Sequence, residues 1–140
     1  MIVGAGLVGC DATPGVPPSA PQPPVVSNFT LSPSRVEAAD LRPGQIQDGQ
    51  AQVTIEIGVT AEDPDGAVRR VLFTIAPAST PGRSIQGELV AESGAQYGAA
   101  IDVGLPADQD DIYTVRVFAI DDDDQASNQA LGTLRFVPAP

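Results

Sequence analysis

Residues 53–60 alternate without a break: Val53, Ile55, Ile57 and Val59 are apolar and branched, and Thr54, Glu56, Gly58 and Thr60 stand between them. A period of two sends every second side chain to the same face, so this run predicts a strand buried on one side and wetted on the other. A second run, Val71, Phe73 and Ile75 against Leu72 and Thr74, has the same period. Between the two lies Glu62-Asp63-Pro64-Asp65-Gly66. There Pro fixes φ, Asp accepts local backbone N–H bonds and Gly tolerates positive φ. The expectation is a hairpin over residues 51–76, with the rest of the chain ordered around it.

Alternation recurs downstream. Strands are expected over residues 84–91, then around Tyr97, Ala99, Ile101 and Val103, then over 112–120 with Tyr113, Val115, Val117 and Ala119 on one face, and finally over 131–137. Upstream, a strand is expected over residues 25–31. Residues 32–50, with Pro33, Pro43, Gly44 and Gly49, offer only a short edge strand at 35–38. The sum is about seven short strands, which makes the expected fold all-β, an antiparallel β-sandwich over residues 25–138. The 14 Gly and 14 Pro interrupt nearly every stretch long enough for a helix, which excludes an all-α chain. Aromatic residues are 4% and Trp is absent, so the core has to come from Val, Ile, Leu and Ala.

The net charge is -11 and all 7 basic residues are Arg, a balance that argues against nucleic acid or an anionic membrane surface as a partner. The chain has no His and one Cys. Zinc centres built from His and Cys, Ser-His-Asp triads, Cys-His pairs and internal disulfides are thereby excluded within it.

The first ten residues, Met-Ile-Val-Gly-Ala-Gly-Leu-Val-Gly-Cys, admit two readings. Gly4-x-Gly6-x-x-Gly9 has the spacing of a dinucleotide-binding turn, which requires a helix to begin inside it. Pro14, Pro17 and Pro18 forbid that helix, and no acidic residue lies between Asp11 and Glu37 to hold a ribose. The other reading takes Leu7-Val8-Gly9-Cys10 as the end of an export signal, which resembles the bacterial lipobox. That resemblance implies cleavage before Cys10, acylation of its thiol and attachment to a membrane of the bacterial cell envelope. A complete signal has a basic n-region and about 7 to 15 apolar residues; a truncated or misassigned start would explain their shortfall here, and the alternative is a disordered apolar N-terminus with an incidental Cys. Residues 11–24 hold six Pro and almost no large apolar side chain. They are expected to be disordered or polyproline-like, a linker reaching roughly 40 Å.

Leu105-Pro106, then Asp111-Ile112-Tyr113-Thr114-Val115-Arg116-Val117, with Ala119 and Asp121 following, resembles the sixth strand of immunoglobulin-like and fibronectin type III domains. The resemblance implies a tyrosine corner, in which the Tyr113 hydroxyl bonds nearby backbone. The disulfide and core Trp of antibody domains are missing, which points to the bacterial immunoglobulin-like group. Such domains serve as spacers and binding modules, here with a protein or glycan ligand expected at the loops.

In that framework the turn after Thr60 and the run Asp121-Asp122-Asp123-Asp124 share one end of the sandwich. Glu62, Asp63, Asp65, Asp121, Asp122, Asp123 and Asp124 then form an acidic pole, with Glu92 as a neighbour. Oxygen-rich clusters suit calcium, which accepts six to eight oxygen ligands. The same residues also read as a solvated acidic turn, since residues 121–128 contain no Gly and match no calcium-loop motif. The expected function is a lipid-anchored, non-catalytic binding or spacer module with no resident cofactor. The alternatives are a calcium-binding adhesion-type domain and an accessory domain of an envelope enzyme.

Overall fold

The computed structural model describes residues 21–140; the lipobox-like segment, Cys10, the glycine-spaced turn and most of the Pro-rich linker lie outside them. The described chain is all-β. Its strands are β1 (Val25–Ser32), β2 (Arg35–Glu37), β3 (Ile46–Gln47), β4 (Gln50–Glu62), β5 (Val68–Pro77), β6 (Ile85–Ser93), β7 (Gln96–Pro106), β8 (Asp111–Asp121) and β9 (Ala130–Val137). Two short 3-10 turns, Ala38–Asp40 and Pro43–Gln45, fill the irregular stretch between β2 and β3. The edge strand expected at 35–38 is present as β2.

Eight strands follow one hydrogen-bonded path, β1-β4-β7-β6-β5-β8-β9-β2, with β3 paired to β4 beside it. The path curls, and β6 is where it turns. Residues 85–89 of β6 pair with β5, Ile85 opposite Ile75 and Leu89 opposite Val71. One residue later the strand pairs with β7, Val90 opposite Gly98 and Ala91 opposite Tyr97. The β1-β4-β7 half therefore faces the β5-β8-β9 half, an arrangement compatible with a β-sandwich. On the other side, Phe29 of β1 closes against Gly132 of β9. A Cβ at 132 would stand 2.5 Å from the Phe29 ring, so only Gly permits the approach.

The core follows the parity read from the sequence. Ala51, Val53, Ile55, Ile57, Val59 and Ala61 of β4 point inward, as do Val71, Phe73 and Ile75 of β5 and Tyr113, Val115, Val117 and Ala119 of β8. Leu105, Leu134 and Phe136 complete a single buried cluster. Truncating a wholly buried aromatic such as Phe136 costs about 3 to 5 kcal/mol in a close-packed interior.

Two expectations are corrected. The strands are not uniformly short, since β4 runs for 13 residues and β7 and β8 for 11 each. The larger correction concerns the hairpin over residues 51–76: β4 and β5 do not pair. β4 is zipped to β7 from Gln50↔Pro106 to Thr60↔Gln96, and β5 is zipped to β8. The Asp63-Pro64-Asp65-Gly66 connection is an arch from one half of the curled sheet to the other. Alternation states which face of a strand is buried, and it is silent on which strand lies beside it.

Candidate functional site

The arch leaving β4 meets the loop leaving β8 at one pole of the domain, and the carboxylates there are held in different ways. Asp121 is the last residue of β8 and is 0% exposed. Its Oδ1 accepts the N–H of Asp123 at 2.9 Å and the N–H of Gln125 at 2.8 Å. Its Oδ2 is buried without any hydrogen-bond partner. Asp63 mirrors this on the arch, with Oδ1 accepting the N–H of Asp65 at 3.1 Å and Oδ2 buried and unpartnered.

Asp63, Asp121 and Asp122 each bring a carboxylate oxygen to within 4.8 Å of the others. Gly66 lies directly beside them: a Cβ there would stand 3.0 Å from Asp122 Oδ1 and 3.5 Å from Asp63 Oδ2. The Asp122 N–H is bonded to the Ala67 carbonyl at 3.2 Å, which fastens the β8 loop to the arch.

The other acidic residues lie outside this group. Asp124 forms an ion pair with Arg69. Asp65 accepts the N–H of Gln22 at 2.8 Å, so the chain entering the domain is tied to the pole. Asp123 is exposed, and Glu62 ends β4 exposed and outside the three-carboxylate group. Glu92, expected as a neighbour, instead lies on the outer face over Gly98 of β7. Partial desolvation is the main cause that raises the Asp63 carboxyl above its ordinary value, and Asp65 and Asp121 add repulsion. Asp123 is raised in the same way, by desolvation first and then by Asp122, Asp121, Asp65 and Asp124.

The gathering of Asp63 and Asp121 had a signal in the sequence that the motif reading passed over. Each occupies the next inward position after a buried alanine, Asp63 after Ala61 and Asp121 after Ala119. Extending the period of two by one step aims both carboxylates at the end of the core. The same step places Glu62 outward. Asp122, on the outward parity, joins the group only because the chain turns over at Asp121.

At the opposite pole Asp111 opens β8 and accepts the N–H of Ser79 at 3.3 Å, the Ser79 hydroxyl and the N–H of Ile112 at 2.9 Å. Beside it Tyr113, Ile75, Leu105, Pro106 and Arg83 line a cleft of about 380 Å³. The expected tyrosine corner is not formed among the described residues: the Tyr113 ring is buried in the core, and its hydroxyl has no hydrogen-bond partner there. Burial pushes that phenol above its ordinary pKa.

No protein-family model matches the sequence, and the curated proteins give no match to it.

Proposed function

We propose that the chain is an immunoglobulin-like module, exported and held at the bacterial cell envelope by an acylated Cys10, that spaces or binds rather than catalyses. The observation that carries this reading is the strand order. With β1, β4 and β7 read as the first, second and fifth strands of an immunoglobulin-like domain, and β5, β8 and β9 as the third, sixth and seventh, the strand order is compatible with that fold's partition and supports the reading. The parallel pairing of β2 with β9, Phe136 opposite Val36, adds an edge strand next to the last one. β6, shared between halves, stands where the fourth strand chooses its sheet. The Leu7-Val8-Gly9-Cys10 run and the six prolines of residues 11–24 support the anchor and the stalk.

A spacer role also agrees with the side chains on offer. The chain has no His, so neither a Ser-His nor a Cys-His nucleophile-base pair can be assembled within it. Ligand identity on such a domain resides in its loops, and the loops tying the incoming chain to the pole are the natural place for it.

The test is intact-mass analysis of the protein from the membrane fraction of its own cells, with Cys10→Ala beside it. A mature chain beginning at an acylated Cys10, and loss of membrane association in the variant, are the expected results. An unmodified Met1 terminus in the cytoplasm rejects the anchor.

A further inference from the structure

We propose that the loop pole is a divalent-cation site, built for calcium, in which Asp63, Asp121 and Asp122 close on one ion. An acidic cluster on its own is usually a solvated surface, and two features of this one are not. Asp121 is 0% exposed and contributes an oxygen to the cluster, while its Oδ2 has no donor. Buried carboxylate oxygens are nearly always satisfied, so a wholly buried one calls for a donor or a cation. Asp63 Oδ2 is a second such oxygen, delivered from the opposite half of the sheet. Gln125, whose N–H bonds Asp121, also carries a buried Oε1 with no donor.

The second feature is the space. Gly66 leaves open the volume that any larger residue would fill against Asp122 Oδ1 and Asp63 Oδ2. No side-chain cation enters it among the described residues, because the nearest guanidinium groups along the chain are taken: Arg69 pairs with Asp124 and Arg70 with Glu88. The donors are all oxygens, which suits a hard cation and disfavours zinc or copper. Two loops supplying an irregular set of oxygens, completed by water, fit calcium better than the strict octahedron of magnesium.

Such an ion would act as a clasp. It would join the arch after β4 to the loop after β8, at the pole where Asp65 holds Gln22 of the incoming chain. The inference concerns the folded domain and does not depend on the lipid anchor.

The experiment is calorimetric titration of the full chain with calcium and with magnesium, alongside thermal melts in chelator and in millimolar calcium. Calcium is expected to bind with one site per chain and to raise the melting temperature by several degrees, magnesium less so. Asp122→Asn and Gly66→Ala should each weaken calcium by at least about tenfold, since one takes a negative charge from the ligand set and the other fills the space. Neither position is buried, so both variants should fold. In chelator Asp122→Asn should melt at or above the parent, because a repelling charge has gone. A melting curve unmoved by millimolar calcium, or Asp122→Asn keeping the full calcium shift, would overturn the proposal.

Discussion

Asp63 and Asp121 approach from opposite halves of the curled sheet, and each turns one oxygen to a neighbouring backbone N–H while the other stays buried without a donor. Both continue the inward parity of β4 and β8, so the pole is an extension of the core in which alanine has given way to carboxylate. An ion between them would satisfy what the fold alone leaves unsatisfied.

That relationship sets a pH dependence. The Asp63 and Asp123 carboxyls are raised above the ordinary Asp value of 3.8, so the folded state binds their protons more tightly than the unfolded chain does. Their contribution therefore grows more favourable as pH falls from neutral towards 3.8. Asp110 has the opposite sign: its hydrogen bond to Arg135 holds it below that value, and its stabilisation is present above 3.8 and lost in stronger acid. In chelator, urea midpoints should rise on mild acidification and fall again below about pH 4. With calcium present the part of the rise that comes from Asp63 should vanish, since protons and cation compete for its oxygens.

The tie between Asn128 and Val26 gives a second prediction. Asn128 Oδ1 accepts the Val26 N–H at 2.9 Å and its Nδ2 donates to the Val26 carbonyl at 3.0 Å, a side chain substituting for a missing strand neighbour. Asn128→Ala should cost about 2 kcal/mol, two net hydrogen bonds at about 1 kcal/mol each. Amide hydrogen exchange should quicken at residues 25–27, with the β4 and β8 amides still protected. Uniform loss of protection across all strands would contradict this local role.

Tyr113 supplies the third. With its ring in the core and its hydroxyl unpartnered among the described residues, Tyr113→Phe should change stability by less than about 0.5 kcal/mol. Tyr113→Ala should cost about 3 to 5 kcal/mol through the cavity left behind. Denaturant curves for the pair separate a packing residue from a tyrosine corner, for which removal of the hydroxyl would be costly.

Local periodicity set where the long strands run and which way they face. Periodicity from Val53 to Ile75, from Tyr97 to Val103 and from Tyr113 to Ala119 is a local property, because branched apolar side chains two residues apart have to share a buried side. The sequence also held the acidic residues that form the pole, and, in the step from Ala119 to Asp121, the hint that one of them is buried. Tertiary structure decided the partners. The run after Thr60 looked like a hairpin because its turn chemistry was right, yet β4 found a longer ladder with β7, and the turn became an arch between halves. It also decided which of the seven predicted carboxylates gather: Asp124 was drawn to Arg69 and Asp65 to Gln22, Glu62 and Asp123 stayed exposed outside the group, and Asp63, Asp121 and Asp122 came together. Burial parity is fixed by neighbours in the chain, but pairing and charge partners are chosen by residues brought close only when the sheet curls.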